Sequence, residues 1–98
     1  MSNKKLDFHS INNAAVANIY IVIAHLGLQG RTQGNWFTAL NPKRDDKKPG
    51  SFVINLRTGK WKDYALADAY GDLIALVAYI KDYSQKHAAE ELARILGV

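Results

Sequence analysis

Cysteine is absent from the 98 residues. That excludes disulfides, thiol chemistry, iron–sulfur clusters and any cysteine-ligated zinc. The three histidines, His9, His25 and His87, fall in different segments without metal-ligand spacing. No glycine-rich phosphate loop or nucleophile elbow is present, so the sequence offers no catalytic residue and no cofactor site. Long hydrophobic runs are missing too. The longest apolar-rich stretch, Ala14 to Leu26, is interrupted by Asn18 and His25 and is shorter than the ~20 residues a membrane span needs. Lys4 and Lys5 are followed by Asp7, His9 and two asparagines rather than by the apolar core of an export signal. The expected location is the cytoplasm, with no membrane partner.

What remains has the composition of an ordinary folded domain, 48% hydrophobic and 22% charged, large enough for one modest core. Residues 1–9 read as a polar arm and 10–98 as a single domain. Ser10 is placed to cap a helix over 11–26, with Gly27 as its stop; Ile11, Ala15, Ile19, Val22, Ile23 and Leu26 share one face. Gly27, Gly30 and Gly34 punctuate a turn-rich connection. Three short strands follow, at 36–40, 51–56 and 60–64, the last two forming a hairpin about Thr58-Gly59. Asp72 and Ser84 are placed to cap two amphipathic C-terminal helices, the second ending at Gly97. The predicted class is α+β: an N-terminal helix, a three-stranded antiparallel sheet and two C-terminal helices.

The charge is concentrated. Between Asn41 and Lys62 stand seven basic residues, Lys43, Arg44, Lys47, Lys48, Arg57, Lys60 and Lys62, against Asp45 and Asp46. This segment nets +5 in a chain of +4 overall, so the rest nets −1. Trp36, Phe37, Phe52, Trp61 and Tyr64 are interleaved with it. Basic side chains meet phosphates and aromatic rings stack unpaired bases; the bland alternative is a solvated loop over a sheet whose aromatics are core. On the third strand Trp61 and Asp63 share one face, with Lys60, Lys62 and Tyr64 on the other. Packing inward makes Trp61 a core residue, the expected fate of a large hydrophobe in a small domain. Asp63, Asp68 and Asp72 can hold a divalent metal only by converging on one accessible point, and Asp72 already has a capping role.

From Asn41 onward the order of short motifs resembles the N-terminal zinc-ribbon-like domain of bacterial, phage and mobile-element DNA primases. Asn41-Pro42-Lys43-Arg44 leads into Asp45-Asp46, then Pro49-Gly50-Ser51-Phe52. A hairpin follows from Asn55 to Tyr64 with Trp61 in its second strand, then Gly71-Asp72-Leu73-Ile74 entering a helix. In the family a Cys-Pro-x-His step and a later Cys-x-x-Cys pair hold zinc. Here Asn41 and Arg44 stand at the first pair of positions, Asp63 and Leu66 near the second, and the loop before Gly71 is about one residue longer. Leu66 cannot ligate, so the metal role does not transfer. Packing of Leu40, Leu66 and their neighbours is expected in its place, as in a zinc-free branch of phage- and plasmid-type primases.

The resemblance implies a module that contacts single-stranded template DNA while a separate primase domain or helicase supplies the chemistry. The chain itself is expected not to be an enzyme. Arg44, Lys47, Lys48, Arg57, Lys60 and Lys62 are the expected phosphate contacts, with Trp61 as a base contact and Arg31 and Lys43 as weaker candidates. Asp45 is expected to orient its basic neighbours, since a carboxylate beside a phosphate is repelled. The competing reading is a protein-interaction module docking on a replicative helicase or primase, which an apolar patch on the last two helices would favour.

Overall fold

The computed structural model describes residues 6–45 and 50–98. The first helix begins earlier than the Ser10 cap suggests. Asp7 is the N-cap: its carboxylate accepts from the Ser10 backbone N–H at 3.2 Å and from the Ser10 hydroxyl at 2.9 Å, so α1 runs Phe8–Ala17 and takes in the last two residues of the expected arm. Leu6, just before the cap, already packs against the core. The predicted single helix is broken at Asn18, which leaves helical geometry with φ −125° and ψ 41°. Its side chain bonds back to the Ala14 carbonyl at 2.9 Å, the local competition with helix that asparagine provides. The Ile-Tyr-Ile-Val-Ile run then forms its own short helix, α2, Ile19–His25. Ile11, Ala15, Ile19, Val22 and Ile23 are buried as the shared face requires.

Five strands form where the sequence suggests three: β1 Gly30–Gln33, β2 Trp36–Ala39, β3 Phe52–Asn55, β4 Trp61–Asp63 and β5 Tyr70–Gly71. They pair antiparallel in chain order. The two additional strands are sheet edges. β1, Gly-Arg-Thr-Gln, is exposed along its whole length and lacks the apolar alternation that announces a strand; β5 has only two residues. The β3–β4 hairpin turns through residues 56–59 rather than through Thr58-Gly59 alone. Asn55 closes this turn, its side chain accepting from the Arg57 and Thr58 N–H groups at 2.9 and 3.1 Å. Gly59 has φ +77°, and a Cβ there would come within 2.8 Å of Val16 and 3.0 Å of Leu73.

α3 (Leu73–Lys81) and α4 (Gln85–Leu96) start at the expected caps, Asp72 and Ser84. Asn12 of α1 also accepts from the Leu73 N–H at 3.0 Å, tying the first helix to the third. The helices cover one face of the sheet. Phe37, Ala39, Phe52, Ile54, Trp61 and Asp63 are buried there, while their strand neighbours of opposite parity are exposed or half-buried. Leu73, Leu76, Val77 and Leu92 complete the core, with Leu96 half-buried at its margin. No described helix is long and apolar enough to cross a membrane.

Candidate nucleic-acid interface

The pleat sends alternate residues to opposite sides, and the strand register fixes which residues share the uncovered side. Arg31, Thr38, Val53, Lys62 and Tyr70 are successive cross-strand partners over all five strands. A second row joins Gln33, Trp36 and Asn55 and continues to Lys60, whose carbonyl accepts from the Asn55 N–H at 2.7 Å. Tyr64 follows on the same side beyond β4. With strands about 4.8 Å apart, the first row spans about 19 Å from Arg31 to Tyr70. No residue of these rows is acidic. Tyr64, Tyr70 and Trp36 are 69%, 64% and 44% exposed, and the Lys62 ammonium lies 5.2 Å from the Tyr64 ring centre.

The basic residues divide into two groups. Four are spent on internal ion pairs: Lys43 with Asp82, Arg44 with Asp63, and Lys81 and Arg94 with Glu91. Arg31, Arg57, Lys60, Lys62 and, on α4, Lys86 have no carboxylate partner among the described residues. Lys47 and Lys48 lie outside the described residues. Arg31, weak in the sequence reading because its strand was not apparent, anchors the far end of the exposed face. Its signal was the Gly34-Asn35 pair beside it, a two-residue hairpin turn.

Two expected contacts occupy other positions. Trp61 is 4% exposed. Its ring meets Phe52 edge-on at 5.8 Å and Tyr79 at 5.1 Å, and its Nε1–H donates to the Asp72 carbonyl at 2.7 Å. A base cannot stack on it; it holds β4 to the start of α3. Arg44 donates to Ser51 Oγ at 2.7 Å and lies 3.2 Å from Asp63 Oδ2.

Asp63, fully buried, also accepts from Asn41 Nδ2 at 2.7 Å and from the Ala65 N–H at 2.9 Å. Asn41 further reaches the Tyr79 hydroxyl at 3.0 Å and accepts from the Lys43 N–H at 2.8 Å. Burial opposes ionisation of Asp63, but the donors from Asn41, Ala65, Ser51 and Arg44 outweigh it and hold its pKa below the ordinary value. Asn41, Arg44 and Asp63 thus come together, as the zinc positions of the resembled family would. They do not fit zinc: a guanidinium cannot ligate and adds positive charge where a cation would sit. The junction of Asn41, Arg44 and Asp63 is polar, while Leu66 beside it packs against the core as the sequence suggests.

The acids do not converge. Asp63 is enclosed in this network, Asp72 caps α3 through the Ala75 N–H at 2.8 Å, and no metal-holding cluster of three His, Cys, Asp or Glu occurs among the described residues.

A scan against protein-family models found no match, and neither did a search of curated proteins. Among solved structures, the fold is similar to the primase of Aquifex aeolicus, determined as its zinc-binding and RNA polymerase domains. The TM-score is 0.70 at 24% identity, over 96% of this chain and 22% of that one. The likeness is one of fold, and the chain spans about a fifth of the length of the protein it matches.

Proposed function

We propose that this domain is a primase-type nucleic-acid-binding module that contacts single-stranded template DNA through the uncovered sheet face, without zinc and without catalysis of its own. The observation that carries this reading is the face itself: Arg31, Lys60 and Lys62 beside Trp36, Tyr64 and Tyr70, with no acid in its rows. Unpaired cations attract phosphates, and exposed rings offer stacking surfaces that any base can use. Arg57, on the turn at one end of the face, extends it; Lys47 and Lys48, outside the described residues, are further phosphate contacts in this proposal. Arg44 and Trp61 serve the scaffold in this account. A primase catalytic domain or a replicative helicase is the partner that would act on the bound strand, in the cytoplasm.

The protein-interaction reading receives less support. It calls for an apolar patch on the last two helices, whereas the exposed large hydrophobics of the described residues are Phe8, Tyr20, Ile21, Trp36, Tyr64, Tyr70 and Val98, none of them within α3 or α4. Titrating a labelled 20-nucleotide single strand at low salt with the wild type and with Arg31→Glu/Lys60→Glu/Lys62→Glu tests the proposal. Binding by the wild type and its loss in the variant support it; no binding by the wild type removes it.

A further inference from the structure

At the β4–β5 edge lies an open cleft of about 490 Å³, lined by Lys60, Trp61, Lys62, Ala67, Tyr70, Gly71 and Asp72. Its size falls within the range of small-ligand sites. We infer that this cleft receives one unstacked nucleotide, its base against Tyr70 and its phosphate on Lys60 and Lys62. The inference rests on the reading of the sheet face given above, and adds to it a defined subsite.

Three features carry it. Tyr70 is the cross-strand partner of Lys62, so an aromatic ring and a cation stand side by side, as a base and its phosphate require. The ring is 64% exposed and donates no hydrogen bond among the described residues, which leaves it available for stacking. Two of the lining residues are held against α3. Trp61 is pinned by its bond to the Asp72 carbonyl, and Gly71, at φ +152°, runs so close to α3 that a Cβ there would lie 2.6 Å from the Ala75 Cβ. The one carboxylate at the rim, Asp72, is turned to the Ala75 N–H and serves the helix. A base reaches such a cleft only when it is out of a duplex stack, because stacked neighbours cover both its faces. The site therefore selects single strands over duplexes by access rather than by sequence.

The test compares a labelled ten-residue oligo-dT with free dTMP, on the wild type, Tyr70→Ala, Tyr70→Phe and Tyr20→Ala, the last an exposed tyrosine remote from the sheet. Tyr70→Ala is expected to weaken oligomer binding about tenfold, within the range for loss of one base–aromatic stack. Tyr70→Phe and Tyr20→Ala should bind like the wild type. In amide NMR spectra, Ala67 and Gly71 should shift with the oligomer and, at millimolar concentration, with dTMP. If Tyr70→Ala binds the oligomer as the wild type does while Lys60→Glu/Lys62→Glu does not, the face binds DNA and the subsite is wrong. If the wild type fails to bind the oligomer, the face reading falls. In that case dTMP-induced shifts at Ala67 and Gly71 that vanish in Tyr70→Ala keep the cleft as a free-nucleotide site, and their absence overturns it.

Discussion

The Arg44 guanidinium lies 3.2 Å from the buried carboxylate of Asp63, joining the segment after β2 to the end of β4. Asn41 donates to the same carboxylate and carries the tie on to Tyr79 of α3. A buried charge held this way is costly to leave without partners. Asp63→Ala strands the Asn41 amide, Arg44 and the Ala65 N–H together, and is expected to destabilise by about 3 kcal/mol. Arg44→Ala should cost less, about 1–2 kcal/mol, because its half-exposed side chain leaves Asp63 its other donors. Urea denaturation of both variants and of the double variant checks this. The double variant should be less destabilised than the sum of the two.

Metal removal should change nothing at this junction. Asn41, Arg44 and Asp63 satisfy one another, so EDTA should leave the melting curve unmoved and elemental analysis should find no stoichiometric zinc. A large fall in Tm on chelation would contradict the proposed zinc independence.

Acid should weaken the helical half through Glu91. Burial of Glu91 raises its pKa, but His25 at 2.8 Å and Lys81 at 2.9 Å outweigh this and lower it from 4.5 to about 2. A group with a depressed folded pKa contributes stability that is full above its unfolded pKa and lost as pH falls through the folded value. Stability should therefore drop as pH falls from 4.5 towards about 2, with Asp63 adding to the loss below its ordinary value of 3.8. In Glu91→Gln, urea denaturation should show lower stability at neutral pH and a shallower decline across the same window.

Gly59 is fixed both by conformation and by space. Its φ of +77° disfavours any side chain, and a Cβ would press on Val16 and Leu73. Gly59→Ala is expected to cost more than 1 kcal/mol, measured as a lower urea midpoint with unchanged slope.

Much of the architecture is legible because local chemistry and tertiary packing agree. Asp72 and Ser84 cap their helices, and the parity of Trp61 against Lys60, Lys62 and Tyr64 separates core from exposed face. The misreadings arise where several residues compete for one role or where pairing supplies what composition lacks. Asp7 and Ser10 are both capping residues three apart, and Asp7 takes the cap by accepting from the Ser10 N–H and hydroxyl, while Leu6 before it packs against the core. β1 has no hydrophobic pattern; it exists because β2 offers a partner, and with it Arg31 joins the face. Arg44 reads as a phosphate contact until Asp63 is placed beside it, and no spacing rule conveys that two residues nineteen apart share a buried junction. Lys43 and Arg44 pair with Asp82 and Asp63, acids outside residues 41–62, so the charge of that segment overstates what is available to a polyanion.

The most direct test of the account is the salt dependence of single-strand binding. Each phosphate neutralised contributes a slope of about −0.7 in log K against log salt, so Arg31, Lys60 and Lys62 should together account for about −2, with any contacts from Arg57, Lys47 and Lys48 making it steeper. Arg31→Glu/Lys60→Glu/Lys62→Glu should abolish binding with an unchanged circular dichroism spectrum. Lys4→Glu/Lys5→Glu/Lys86→Glu makes the same change in net charge at residues outside the rows of the face, and spares Lys81, whose ion pair with Glu91 would confound the comparison. The account predicts that this second variant keeps the wild-type slope and most of the affinity. Equal weakening by both triple variants would mean that binding follows net charge alone and that the sheet face is not a site.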